Sequence, residues 1–230
     1  MSSLARDLSG IRSFPHAKRP RLALACATLA ALAAPSGFAP AQYRSGELPA
    51  IPVLAVGGGV LTLEVGVGRD GGVRGINVSD SGLPFADAVI ATVKGWRFRP
   101  AGEASAPVDS TVLVAAAFRP PELYAPANST LIPKDASASK DVPLPLKIVT
   151  PPFPPRALSN GVVLVEVRVG ARGEVTGVKV VRAAPGFDDV AAQAAHRWTF
   201  RPAQVAGTGV PAVAYVILGF PQPVTLPDAR

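Results

Sequence analysis

The sequence Trp-x-Phe-Arg-Pro-Ala occurs twice in this chain of 230 residues, at Trp96–Ala101 and at Trp198–Ala203. These are the chain's only two tryptophans, and they lie 102 positions apart. At that offset residues 59–101 align with residues 161–203 without a gap, and 17 of the 43 aligned positions are identical. Such identity at one fixed offset indicates an internal repeat. The chain is therefore predicted to contain one small domain twice.

Each repeat has the pattern strand, strand, helix, strand. In the second repeat every other residue of Val163–Val169 is valine, with Leu164, Glu166 and Arg168 between them, and this period of two is typical of a strand with one apolar face. A turn at Gly173 leads to the next strand. Val213–Phe220 forms the closing strand, as Val112–Phe118 does in the first repeat. The predicted fold class is α+β, with two tandem domains that each have an antiparallel three-stranded sheet covered by one helix. Apolar residues at helical spacing share one face of the second helix, namely Phe187, Val190, Ala194 and Trp198.

The repeated aromatic residues are predicted to be core anchors. Trp96 and Phe98 in the first repeat, like Trp198 and Phe200 in the second, are expected to fix the end of the helix to the sheet. Pro100 and Pro202 follow them and disfavour helix in the preceding residue, so the chain leaves the helix there.

The N-terminal segment has the layout of a secretory signal peptide. Basic residues up to Arg21 precede the uncharged apolar run Leu22–Ala34, whose 13 residues are fewer than the ~20 of a membrane-spanning helix. A small-x-small sequence at residues 39–41 then predicts cleavage between Ala41 and Gln42. This layout predicts export from the cytoplasm. The alternative is an uncleaved segment that anchors the protein in the inner membrane.

The predicted organisation has five parts. Residues 1–41 are the signal, 42–120 the first repeat, 121–150 a Pro-rich linker, 151–223 the second repeat and 224–230 a tail. Loss of the signal removes five of the 23 basic residues and one of the 16 acidic ones, so the net charge falls from +7 to +3. No block of like charge remains, which argues against nucleic-acid binding. The mature chain would also lack cysteine, since Cys26 belongs to the signal.

Sequence motifs for catalysis or metal binding are missing. The chain has two histidines, of which His16 lies in the signal and His196 stands alone in a predicted helix. There is no nucleophile motif, no paired metal-ligand spacing and no phosphate-binding loop before a helix. We therefore predict no enzyme activity, no catalytic residue, no metal and no cofactor.

The ordered motifs of residues 151–223 resemble those of TonB C-terminal domains. The opening Pro-Pro-Phe-Pro-Pro-Arg-Ala at residues 151–157 is similar to the start of that family, and the glycines, the aromatic motif and the closing strand follow in the same order. Residues 49–120 resemble a diverged member. The positions that carry the resemblance are Phe153, Pro154, Gly161, Gly173, Trp198, Phe200 and Pro202, with Trp96, Phe98 and Pro100 in the first repeat.

The resemblance implies a periplasmic domain that pairs with a short peptide of an outer-membrane receptor and energises solute uptake. Such recognition adds a strand to an open sheet edge. That edge is predicted to be the last strand, because no charged residue lies between Gly207 and Gln222 to guard it. The predicted partner-binding residues are Val213, Tyr215, Val216, Ile217 and Phe220.

Two alternatives remain open at the level of sequence. One is a secreted adaptor that uses the same edge on another envelope protein. The other is a structural module in which the two repeats pack edge to edge and bind no ligand.

Overall fold

A computed structural model describes residues 38–51, 58–78, 83, 85–103, 106–121, 130–131 and 139–223. The predicted signal peptide up to residue 37 and the tail 224–230 lie outside the described residues. The elements of the described part, in chain order, are β1 (Phe38–Ala39), β2 (Gln42–Ser45), β3 (Gly59–Val67), β4 (Val73–Val78), α1 (Ala86–Lys94), β5 (Arg97–Arg99), β6 (Ala101–Glu103), β7 (Ala106–Val108), β8 (Ser110–Phe118), β9 (Thr130–Leu131), β10 (Leu144–Val149), β11 (Gly161–Val169), β12 (Val175–Arg182), α2 (Asp188–His196), β13 (Thr199–Arg201), β14 (Ala203–Val205), β15 (Thr208–Val210) and β16 (Ala212–Phe220).

The main strands of both repeats form one six-stranded sheet. Its order is β12-β11-β16-β8-β3-β4, so the second repeat supplies one half and the first repeat the other. The α+β class is confirmed, but the expectation of two separate three-stranded sheets is wrong. The described residues all belong to one compact unit. The reason is that β16 and β8, the closing strands of the two repeats, pair with each other.

The pairing between β8 and β16 is parallel, whereas the other neighbours in this sheet are antiparallel. Equivalent strands that run parallel side by side are related by a rotation about an axis along the strands, which exchanges the two faces of the sheet. Equivalent residues then point to opposite faces, whereas residues paired side by side in parallel strands point to the same face. The sequence separation of paired residues must therefore differ from the repeat offset by an odd number. The observed register has Ala214 beside Leu113, an offset of 101 against the repeat offset of 102.

Two apolar cores lie on opposite faces of the sheet. Strand β8 contributes to both, because Val114 belongs to the core under α1 and Ala115 to the core under α2. Strand β16 alternates in the same way, with Tyr215 in the first core and Val216 in the second. The central strands are therefore covered on both faces, and this explains their continuous apolar sequence.

The helices lie at the predicted positions, although each ends two residues before its tryptophan and the buried face of α2 differs from the prediction. In α1 the buried residues include Val89 and Val93, as the spacing indicates. In α2 the core contacts are made by Ala191 and Ala195, the equivalents of those two valines, while Val190 is half-buried at the margin of the core.

Each tryptophan is buried and hydrogen-bonded to a segment that precedes its repeat's first sheet strand. Trp96 Nε1–H donates to the Glu47 carbonyl at 2.8 Å, and Trp198 Nε1–H donates to the Val149 carbonyl at 3.0 Å. Both pairs span 49 residues, so the repeated geometry extends beyond the region of clear sequence identity.

The segments before the two repeats are short strands. Strand β2 pairs with β5, and β10 pairs with β13, with the same irregularity in both registers. Strand β10 thus lies within residues 121–150, which the sequence predicts to be linker. The chain leaves each helix before its tryptophan, and the residues after the tryptophan form the short strands β5 and β13, which the sequence pattern does not predict.

Candidate functional site

The predicted edge strand is in the centre of the sheet. Strand β16 pairs with β11 on one side and with β8 on the other, from Ala214 beside Leu113 to Gly219 beside Phe118. The Arg119 backbone N–H extends this contact by donating to the Gly219 carbonyl at 3.2 Å. The prediction of an open edge at Val213–Phe220 is therefore wrong, because the first repeat fills it.

The residues predicted to bind a partner are accordingly inside the protein. Val213 is half-buried. The other four have no measurable exposure, and they are Tyr215, Val216, Ile217 and Phe220. The absence of charge along this strand reflects burial on both faces rather than an edge that awaits a partner.

Tyr215 joins the two repeats through its hydroxyl group. The Tyr43 backbone N–H donates to the Tyr215 hydroxyl oxygen at 2.8 Å. The Tyr215 hydroxyl in turn can donate a hydrogen bond to the Ala41 carbonyl oxygen or to a carboxylate oxygen of Glu166, each of which lies 3.4 Å away. The rings of Tyr43 and Phe98 also pack against the Tyr215 ring, at centroid distances of 6.2 and 5.9 Å. The N-terminal segment of the first repeat is thus held on the last strand of the second.

Burial raises the pKa of the Tyr215 phenol above its ordinary value. The hydrogen bond from Tyr43 acts in the opposite direction, and the Glu166 carboxylate adds to the increase. Because the pKa in the folded state is raised, this group's contribution to stability is complete below the unfolded value of about 10 and is lost as pH rises through the folded value. At neutral pH the phenol is a neutral hydrogen-bond donor within the interface.

A second contact crosses between the repeats on the other side of the sheet. The buried Glu64 of β3 accepts hydrogen bonds from Ser139, from its backbone N–H at 2.6 Å and from its hydroxyl at 2.8 Å. Ser139 lies just before β10 of the second repeat. Each repeat therefore contacts the first segment of the other.

The residues that carry the family resemblance lie in the core or its turns. Phe153 packs edge-on against Phe187 at 5.7 Å, and Phe187 packs against Phe220 at 4.9 Å. A Cβ on Gly161 would lie 2.5 Å from the Phe187 ring, so glycine is needed there for the ring to reach the sheet. Pro154 is buried and its carbonyl accepts the Ala157 N–H at 3.0 Å.

The predicted cleavage site lies at the start of the described chain. Ala41 is buried in the first core, and β1 just before it pairs with β6. Cleavage after Ala41 would leave β2, which begins at Gln42, as the first strand. The cleavage itself stays a prediction, since most of the signal lies outside the described residues.

The sheet has two outer strands in the part of the chain that the structure describes. They are β4, with six residues, and β12, with eight. Each is paired on one side only, so its outward N–H and C=O groups have no strand partner among the described residues. These two edges, rather than β16, are the candidate sites for strand addition.

The two edges carry different charges. Strand β12 has Lys179 and Arg182, both exposed. In the first repeat the equivalent of Lys179 is the uncharged Asn77 of β4, and the equivalent of Arg182, Asp80, lies outside the described residues. The sequence contained this difference, but its meaning depends on knowing that β12 and β4 are the outer strands.

Other kinds of site receive no support from the described residues. No group of three or more His, Cys, Asp or Glu side chains there is placed to hold a metal ion. His196 is exposed at the end of α2. Within the same residues, no helix combines the length and the apolar character needed to cross a bilayer.

Comparison with known proteins identifies the second repeat. Residues 150–220 match the family model described as Gram-negative bacterial TonB protein C-terminal, and this part of the chain belongs to that family. The matched family is transport-related and associated with the Gram-negative envelope. No curated protein matches the chain.

Proposed function

We propose, taking residues 150–220 as a TonB C-terminal domain, that this chain is a periplasmic component of TonB-type energy transduction that holds a protein partner by strand addition at an outer edge of its sheet. The first repeat is proposed to be a diverged copy of the same domain. The support for this is the recurrence of the same hydrogen bonds 102 residues apart, from the two tryptophans and also from the Phe98 and Phe200 amides to the Gly71 and Gly173 carbonyls at 2.8 and 2.9 Å.

The observation that carries the proposal is the position of the unpaired edges. The family resemblance implies that the partner's peptide pairs with the closing strand. In this protein β8 already pairs with that strand, β16, along six residue pairs. The backbone groups that remain for strand addition in the described sheet belong to β4 and β12. An outer-membrane receptor segment is the partner that the family implies.

The proposed location is the periplasm. It is supported by the basic, apolar and small-residue order of residues 1–41 and by the association of the family with the Gram-negative envelope. If the segment is not cleaved, the same domain would be held at the inner membrane.

Proline substitutions in β12 test the proposal. Neighbouring residues of an antiparallel edge strand direct their N–H groups alternately inward and outward. Of Lys179→Pro and Val180→Pro, one therefore removes an outward donor and the other breaks a bond to β11. We expect the outward variant to fold normally and to capture the envelope partner on the order of tenfold less well, as loss of a backbone donor and a steric block predict. Circular dichroism checks folding and quantitative mass spectrometry of cross-linked envelope extract checks capture.

The matched controls are Asn77→Pro and Val78→Pro, at the corresponding positions of β4. Reduced capture with these variants instead would assign the function to the first repeat's edge. Undiminished capture with all folded proline variants would show that the partner does not bind by strand addition.

A structural module without a ligand is the second candidate function. It is favoured by the closed interface between the repeats. Strand β8 pairs with β16 there, Tyr43 contacts Tyr215, and Ser139 contacts Glu64. This candidate predicts that no partner is cross-linked to either outer strand, whatever the sequence of that strand.

A further inference from the structure

The two outer edges differ in the charges that an added strand would meet. On β11 and β12 one face of the sheet carries Arg168, Lys179 and Arg182, because these residues share a face with Glu166 and Leu164 in the strand register. A register shift next to Val180 places Arg182 on the same face as Lys179, although three positions separate them. Three cationic residues thus share this face, two of them on β12 itself and one on the neighbouring strand β11.

Arg168 reaches toward the edge across a glycine. It lies one strand inward, opposite Gly177, and a Cβ on Gly177 would be 3.7 Å from Arg168 Cδ. That distance is an ordinary van der Waals contact, so the Arg168 stem lies alongside Gly177 of the outer strand. The Arg168 side chain is exposed, and it belongs to the strand next to the one with which an added strand would pair.

The single carboxylate on this face is already engaged. Glu166 is largely buried, lies 3.7 Å from Arg168 Nε and is within reach of the Tyr215 hydroxyl at 3.4 Å. Neither Lys179 nor Arg182 has a salt bridge in the described part of the chain; Arg182 donates to the Gly46 carbonyl at 2.9 Å. The face therefore keeps a positive excess.

The β4 edge lacks these features. Its equivalents of Arg168 and Lys179 are Gly66 and Asn77, and the arginine that it does carry, Arg74, pairs with Asp70 at 2.9 Å. Side chains directly opposite each other in neighbouring strands have Cβ atoms ~4.5–5.5 Å apart, so opposite charges there are favourable and like charges unfavourable. A strand with acidic side chains would gain at β12 and not at β4.

We infer that β12 is the edge that takes the partner, and that the partner is an extended acidic segment whose carboxylates lie on the face of Arg168, Lys179 and Arg182. This inference rests on the proposed strand addition and specifies its site and its ligand chemistry. The backbone of the segment pairs with β12, and its acidic side chains at alternate positions face the three cations.

Fluorescence anisotropy with labelled nonapeptides tests the inference on the full chain. The probes alternate valine with glutamate, with lysine or with threonine, and a fourth probe is the glutamate peptide with a central proline. We expect the glutamate peptide to bind, the lysine peptide to bind on the order of tenfold or more weakly, and the proline peptide not to bind. Binding of the glutamate peptide should weaken as salt is added, because exposed charges are screened.

Charge reversal at the edge supplies the decisive comparison. The double substitution Lys179→Glu with Arg182→Glu should weaken binding of the glutamate peptide on the order of tenfold and should strengthen binding of the lysine peptide. The control is Lys147→Glu with Arg156→Glu, which changes net charge equally at two exposed positions outside β12 and should leave binding unchanged. An equal loss in the control would overturn the inference, since the attraction would then be one of overall charge.

The outcomes separate the inference from the proposed function. Equal binding of the threonine and glutamate peptides, abolished by the outward proline variant of β12, would keep strand addition and reject the acidic partner. Failure of all peptides to bind, together with unchanged partner capture by the proline variants, would reject both. Self-association of the chain through β12 in sedimentation, lost on charge reversal, would assign the edge to a second copy and also overturn the inference.

Discussion

Trp198→Ala is expected to unfold both repeats, although the substitution lies in the second. Trp198 is 1% exposed, packs 6.1 Å from Phe200 and donates to the Val149 carbonyl. Truncation of a buried tryptophan typically costs ~3–5 kcal/mol, a large part of the ~5–15 kcal/mol that stabilises an ordinary domain. Because β16 and β8 belong to one sheet, the loss should be felt across the whole unit.

The remaining tryptophan reports this effect directly. In the Trp198→Ala variant Trp96 is the only indole left, and it lies in the first repeat. Its fluorescence in a urea titration should show a transition at clearly lower urea than in Trp198→Phe, which keeps most of the buried ring. A Trp96 transition at the same urea in both variants would mean that the repeats unfold independently.

Gly173→Ala is expected to destabilise the protein more than the same change at Gly186. Both glycines have positive φ, at 90° and 87°, so alanine is strained at either position. A Cβ on Gly173 would lie 1.9 Å from the Phe200 carbonyl oxygen, whereas one on Gly186 meets nothing within 4 Å. The conformational cost is ~1–2 kcal/mol at both sites, and the clash at Gly173 adds ~1–3 kcal/mol.

Thermal unfolding of the two variants separates the close contact from the backbone strain. The difference between their melting temperatures measures the contribution of the close contact between the Gly173 turn and β13. The hydrogen bond from the Phe200 N–H to the Gly173 carbonyl joins the same two segments. Equal melting temperatures would show that this turn does not sit against Phe200. Gly71→Ala should behave like Gly173→Ala, because its Cβ would lie 1.9 Å from the Phe98 carbonyl oxygen.

The repeat, the helices and the hairpins are predictable because their signals are local. Alternating valines identify β11, helical spacing identifies α2, and large aromatic residues such as Trp96 and Trp198 are placed in cores by their apolar area. Strands β2 and β10 have no such signal. They are short, Pro145 interrupts the alternation in β10, and their partners are more than 50 residues away in the chain.

The closing strands show why the candidate site could not be located from sequence. An uncharged run such as Val213–Phe220 fits both an unguarded edge and a strand that is covered on both faces. The matching apolar run in the first repeat, Val112–Phe118, favours the second interpretation, since two such strands can cover each other. The choice between them is made by non-local pairing, and the charges that distinguish β12 from β4 gain their meaning only afterwards.

The most direct test of the account is a disulfide between the two closing strands. In a Cys26→Ser background, Ala115→Cys with Val216→Cys places two thiols at directly paired positions on one face, and neighbouring strands lie ~4.8 Å apart, within disulfide range. Ala116→Cys with Ala214→Cys is the control, because these residues face opposite sides and are offset by ~10 Å along the strands. The account predicts that mild oxidation cross-links the first pair and not the control, as peptide mass mapping would show. Free thiols in the first pair, in a folded protein, would contradict the closed edge and return β16 to the position of a docking strand.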